Sequence, residues 1–375
     1  MQEKSKKQKK DKKKKAGLAG ALMVSLIWLT GVNVWADEGL DKVKDDMDAA
    51  LTNVNARVDD VDTRFKAWLV KTSGYAQMAW VSDPALAGKE PFHLKRFRVA
   101  FGGKLNDYTI FKIQPDFSGL ASAGNVALRE AWIDFIADKD LATFRVGQYH
   151  QPFGFENQYS SSRKKVFDTP FYMGATGPLA AAEYDYGVFW WGNLPGSLKD
   201  YLRWRVGVFN GTGNTTVDTN RTKDVAGQVV TNALGKEIEI GASVYMRSAG
   251  TSELSAMHVG AHVKAEMTAP FPWFFTSEYV GGRDSTGVTD QLDAILTWEG
   301  KPFVGMGVLS EVAPVIRYEF WDANVSLDSG NFTNWTVGFN FYPDKSVRFL
   351  VDYVIKNNPT NSATNRLNTM IQVNY

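Results

Sequence analysis

Arg163, Lys164 and Lys165 form a run of three cations inside the stretch FRVGQYHQPFGFENQYSSSRKKVFDTPFYM, residues 144–173. Clustered cations in a confined space favour anions. Glu156, Asp168 and Glu183 stand in the same region and balance the three. A second set comprises Arg96, Arg98, Lys104, Lys112, Arg129, Arg145, Arg203 and Arg205, and falls on one face of alternating segments. One reading is a ladder that guides anions along an aqueous wall. The other is pairing with Glu130, Asp134 and Asp185 that merely lines that wall. For the triplet the competing reading is a solvated charge run on an outer surface.

Covalent chemistry has little material here. The chain holds four His and no Cys, which removes disulfides, thiolate metal sites and Cys nucleophiles together. No GxSxG, Walker or dinucleotide motif occurs. His258 and His262 share a strand face about 13 Å apart, too far for one metal. The sequence therefore predicts no enzyme, no metal and no cofactor.

The elements that position these residues are strands. The triplet follows an alternating run, Phe144–Tyr149, that breaks at Pro152 and Gly154. About thirty residues pass before the next strand-like run at Tyr184, and a loop that long is usually functional. Elsewhere the period of two is strict. Phe97, Val99 and Phe101 oppose Arg96, Arg98 and Lys104; Leu202, Trp204 and Val206 oppose Arg203 and Arg205; Ile238, Ile240 and Val244 oppose Glu237 and Glu239. Val259, Ala261 and Val263 oppose His258, His262 and Lys264, and Val347, Phe349 and Val351 oppose Arg348 and Asp352. No charge falls on the apolar side of these runs.

Alternation alone suits a soluble sandwich as well as a membrane barrel. Three features favour the barrel. The runs are about ten residues long, enough to cross a bilayer tilted. Charge at mid-membrane on a lipid face costs about 2–4 kcal/mol, which explains its exclusion. Aromatics such as Trp80, Tyr108, Trp298, Tyr342 and Tyr353 sit at strand ends, where interfacial girdles belong. No apolar run reaches the roughly 18 residues of a membrane helix. Tight turns at 105–107, 138–140 and 343–345 alternate with longer links, as short periplasmic turns and long outer loops do. The fold class expected is all-β: a 16-stranded antiparallel transmembrane β-barrel over 71–375, with strands from 73–81 to 366–375 and the loop 152–183 folded inward. Segment 299–312 is ambiguous, and an extra pair there makes 18. The last strand ends on an aromatic, Tyr375, as assembly signals of such barrels tend to.

Two segments precede the barrel. Residues 1–15 hold nine Lys with Glu3 and Asp11, and 16–36 hold no charge. Ala16–Thr30 is apolar but too short to span, and Val34-Trp35-Ala36 offers a cleavage site, so 1–36 reads as a signal peptide; the alternative is a single-span anchor. Without it, 33 basic and 39 acidic residues remain of 42 and 41, a net charge of −6 that does not suggest nucleic acid. In 37–70, Leu40, Val43, Met47, Leu51, Val54, Val58, Val61, Phe65 and Trp68 recur in steps of three and four with one stutter. A stripe so narrow predicts an N-terminal periplasmic coiled-coil helix pairing with copies of itself, against the alternative of a helix lying on its own domain.

Several runs resemble the phosphate-selective porin O and P family: Arg145-Val146-Gly147-Gln148-Tyr149 through Gln151-Pro152-Phe153-Gly154, Val208-Phe209-Asn210-Gly211, Lys223-Asp224-Val225-Ala226-Gly227, and Gly338-Phe339-Asn340-Phe341-Tyr342-Pro343. The resemblance covers roughly 70–375. It implies a 16-stranded, homotrimeric porin of the bacterial outer membrane whose third outer loop folds inward and whose lumen carries basic residues. It implies inorganic anions or small solutes, and outer-membrane lipid, as partners; phosphate itself does not follow from it. The leading expectation is passive diffusion of small hydrophilic solutes with an anion bias. The competing expectations are a structural protein that ties the envelope together through its coiled coil, and a general non-selective porin.

Overall fold

A computed structural model describes residues 37–68, 70–84, 91–121, 124–173, 183–213, 218, 220–248, 256–268, 272–283, 290–300, 303–306, 309–322, 331–357 and 365–375. The expected signal peptide, 1–36, and residues 174–182 of the long loop lie outside these. The chain divides into two compact units, Met1–Lys66 and Ala67–Tyr375.

In the first unit, α1 (Asp37–Trp68) is one helix of 32 residues. No Pro interrupts it, and Thr52 Oγ1 donates to Asp48 O at 2.7 Å, one turn back. Over 42–61, where side chains are described, Val43, Val54, Val58 and Val61 are exposed.

The second unit is a sheet of seventeen strands in chain order. These are β1 (Lys71–Ser82), β2 (Phe92–Asn106), β3 (Thr109–Asp116), β4 (Ala127–Asp138), β5 (Ala142–His150), β6 (Tyr184–Asn193), β7 (Leu202–Phe209), β8 (Asp224–Thr231), β9 (Ile238–Arg247), β10 (Ala256–Met267), β11 (Trp273–Arg283), β12 (Asp290–Gly300), β13 (Phe303–Met306), β14 (Leu309–Asp322), β15 (Asn331–Tyr342), β16 (Val347–Asn357) and β17 (Arg366–Asn374). Consecutive strands pair antiparallel except at β12, which pairs with β14, and β1 pairs with β17 from Tyr75↔Asn374 to Ser82↔Leu367, closing a barrel. Closure brings backbones close at Gly74, which exchanges main-chain hydrogen bonds with Tyr375 at 3.0 and 3.1 Å. A Cβ there would lie 2.2 Å from Arg98 O, so only glycine fits.

The ambiguous segment resolves in favour of sixteen wall strands. β12 pairs directly with β14, from Leu292↔Asp322 to Glu299↔Val315. β13 has four residues and pairs only with the start of β14. Four residues cannot cross a bilayer, which takes about nine to eleven.

The three short turns use one device. Asn106 Oδ1 accepts the Tyr108 N–H at 2.9 Å, Asp138 Oδ1 those of Asp140 and Leu141 at 2.9 Å, and Asp344 Oδ1 those of Ser346 and Val347 at 2.5 and 3.0 Å. These are Asx turns, in which the side chain stands in for a backbone acceptor. The N–H groups of Leu141 and Asp140 hold the exposed Asp138 carboxyl below its ordinary value.

Faces sort as the alternation predicts. Phe97, Phe101, Val206, Val208, Val259, Val263, Val337, Phe339, Val351, Tyr353 and Ile371 are exposed on the outside. Arg98, Asp116, Asp134, Arg145, Gln228, His262, Asn340, Arg348, Asp352 and Gln372 are buried on the lumenal side.

Candidate functional site

The polypeptide leaves β5 at His150 and turns into the lumen. Gly154 has φ +68°, and a Cβ there would lie 2.5 Å from Glu278 Oε1, so the turn needs glycine on both counts. Two apolar anchors hold the inserted loop. Phe153, Tyr172 and Met173 join inward-facing Phe189, Phe209, Tyr245, Ile295 and Trp321 in one buried cluster. Phe167 joins Ala79, Val81, Leu350 and Met370 in another. Phe155 stacks on Tyr159 at 4.9 Å between centroids, and Tyr159 on Phe274 at 5.8 Å.

A loop buried this deeply has to satisfy its main-chain groups. The wall does so with side chains. Glu278 takes the N–H of Phe155 at 2.6 Å on Oε1, and the N–H of Glu156 at 3.1 Å and the hydroxyl of Tyr172 at 3.2 Å on Oε2. Asp352 accepts from Phe167 N at 2.8 Å, and Glu319 from Phe171 N at 2.5 Å. Carbonyls are met by donors: Gly154 O by Gln228 at 3.0 Å, Ser161 O by Gln77 at 3.3 Å, Ser162 O by Gln372 at 2.9 Å, Lys164 O by Arg348 at 2.7 Å and Lys165 O by Asn340 at 2.9 Å. Residues 153–173 are thereby tied to walls on both sides of the β1–β17 seam.

The cation triplet divides into three fates. Lys164 is buried, bonded to Glu156 Oε2 at 3.0 Å and to Glu156 O at 2.9 Å, so that pair braces the loop from within. Lys165 pairs with Glu299 at 2.5 Å and lies 4.7 Å from the Phe274 ring centre. Arg163 stays exposed. The carbonyls on either side of it are pinned to β1, β16 and β17. Its side chain lines a cavity of about 670 Å³ with Tyr159, Glu311 and Lys345, and forms no ion pair among the described residues.

The eight wall cations also divide. Arg98 and Arg129 pair with Asp116 at 2.9 and 3.6 Å, Lys112 with Glu130 at 2.9 Å, Arg145 with Asp134 at 2.6 Å, and Arg203 with Glu239 at 2.8 Å. Arg145 is held further by the Trp132 and Tyr149 rings, 3.6 and 4.1 Å from its guanidinium carbon. Arg96 and Arg205 bond to neutral amides instead, Arg96 to Gln77 at 2.9 Å, Arg205 to Gln228 at 3.2 Å and to Gln158. Lys104 is exposed at the end of β2. Arg96 and Arg205 each connect to the stretch of loop that carries Arg163: Arg205 meets Gln158, and Arg96 reaches Ser161 through Gln77.

The barrel has known counterparts. Residues 84–265 match the family model of the phosphate-selective porins O and P. No curated protein sequence matches the chain. Among solved structures, an anion-selective porin from Comamonas acidovorans is similar at 12% identity and TM-score 0.59, over 82% of this chain and 99% of that one. OprB of Pseudomonas putida is similar at 10% identity and TM-score 0.61, over 85% and 96%. OmpT of Vibrio cholerae in its trimer form is similar at 10% identity and TM-score 0.56, over 82% and 99%. At these identities the structures establish the shared porin barrel.

Sequence reasoning missed the residues that hold the loop. Asp352 was visible only as a polar member of an inward face, and Glu278, Glu319, Gln77 and Gln372 were not singled out. Their common signal is a large polar side chain where a wet wall would accept any small one. His262 Nε2 lies 3.4 Å from Glu239 Oε1 and joins the Arg203 pair. His258 stands on the same inward face of β10, four residues away.

Proposed function

We propose that the barrel is an outer-membrane diffusion channel for small hydrophilic solutes, with a mild preference for anions. The observation that carries this is the loop drawn across the lumen and fastened by its main chain, which narrows the barrel to a constriction. Three arginines supply the bias: Arg96, Arg163 and Arg205 form no ion pair among the described residues and remain open to solvent at least in part. The lumenal carboxylates Glu278 and Asp352, by contrast, are 2% and 1% exposed and turn their oxygens to loop N–H groups. These two carboxylates thus spend their oxygens on the loop rather than on a passing ion.

Residues 1–36 direct export, 37–70 form the periplasmic coiled coil, and 71–375 insert in the outer membrane as a homotrimer, as the trimer form of OmpT supports. Reversal potential across a planar bilayer in a salt gradient tests the selectivity. Arg163→Gln is expected to lower the anion-to-cation permeability ratio toward one. Lys164→Gln is expected instead to disturb the loop, raising current noise. A wild-type preference for cations would sink the anion assignment.

A second reading, a general non-selective channel, is favoured by the ion pairs. Five of the eight wall cations and two of the triplet stand in ion pairs, Arg98 and Arg129 sharing the single carboxylate of Asp116. A permeability ratio near one that Arg163→Gln leaves unchanged would select it.

A further inference from the structure

The helix α1 presents a surface that a single chain leaves uncovered. From Leu51 the apolar residues fall in heptad register, with Leu51 and Val58 at a and Val54 and Val61 at d. Val54, Val58 and Val61 are 51%, 52% and 62% exposed. A helix with so narrow an apolar stripe buries it only against similar stripes.

The residue types select the number of strands. Parallel two-stranded coils favour a β-branched residue at a with Leu at d, whereas Ile at both positions, or Leu at a with Ile at d, shifts the preference to three or more, and Val shares the branching of Ile at Cβ. Here both d positions and one of the two a positions are Val, and none of the four is polar. Direction follows from the chain: α1 ends at Trp68 and β1 begins at Lys71. Barrels inserted in one membrane share an orientation, so short identical connections give their helices a common direction. Upstream, Leu40 to Leu51 spans eleven residues through Val43 and Met47, a spacing that relaxes the left-handed supercoil without breaking the stripe.

We infer that α1 assembles with two further copies of itself into a parallel, in-register, three-stranded coiled coil whose core is Leu51, Val54, Val58 and Val61. The inference rests on the homotrimer reading above, and its test separates the two. The chain has no Cys, so a single introduced thiol reports alone. Full-length Val58→Cys, in detergent, is treated with a tris-maleimide reagent, with Ala56→Cys on the outer f position as control. The native mass of the untreated wild type is measured in parallel.

Three-chain adducts at Val58→Cys, lost at Ala56→Cys, are the expected result. Adding Val54→Asp to Val58→Cys is expected to abolish them while the native mass stays that of a trimer. Two-chain adducts alone would overturn the three-stranded assignment. So would equal adduct at both positions, or none from a wild type that is trimeric by mass. A wild type monomeric by mass whose Val58→Cys form still yields three-chain adducts would uphold the helix assembly and refute the barrel trimer.

Discussion

Glu278 decides the position of the loop more than any of its cations. One carboxylate receives two main-chain N–H groups at the loop's entry and a hydroxyl near its end, and Gly154 is the residue that lets it come so close. Glu278→Ala leaves buried donors unmet at about 1–3 kcal/mol each. Single-channel conductance is expected to rise and flicker, and larger neutral solutes to enter faster in liposome swelling. An unchanged conductance would show that the apolar anchors suffice alone. Arg145 makes the contrasting case. It is buried with Asp134 between two rings, and removing one member of such a pair costs about 3–5 kcal/mol. Arg145→Gln is therefore expected to lower the unfolding midpoint of the barrel with little effect on ion selectivity, the reverse of Arg163→Gln. A selectivity shift with normal stability would return Arg145 to the anion path.

At the scale of the strand, the two faces obey different solvents. Val337 and Thr336 are neighbours on β15, yet Val337 is 39% exposed outside and Thr336 is 5% exposed inside. Val337→Arg is expected to destabilise the folded barrel by about 2–4 kcal/mol in lipid vesicles if it lies near the bilayer midplane, and by less toward an interface. Equilibrium unfolding in urea measures it. Full stability in vesicles would mean that lipid does not meet this face. The period of two that sorts these faces is a local property, because successive side chains on a strand point to opposite sides. Strand positions and the three Asx turns were therefore legible from residues within a few places of each other. β13 was not, since whether 303–306 joins the wall depends on β12 finding β14.

For the whole molecule, the division after Lys66 separates pore from helix. The barrel closes on itself through β1 and β17 and takes no strand from α1. Deleting 37–68 is expected to leave single-pore conductance and the trimer's native mass in detergent unchanged while slowing trimer assembly during refolding. Loss of envelope integrity with trimers and conductance both intact would favour the tethering role instead. Loss of the pore itself would show that the helix is needed to build the barrel.

The sequence by itself determined that this chain makes a closed sheet with a greasy outside, a polar inside and one long insertion carrying cations. Those features are written in spacing, charge placement and turn residues. Only the tertiary structure decided which cations remain available. Glu278 lies 123 residues from Phe155, Asp352 lies 185 from Phe167, and Gln77 lies 295 from Gln372. Such partners are chosen by how the barrel closes and how deep the loop reaches. Alternation along a strand fixes the side a group faces, and it carries no information about what stands opposite across the lumen.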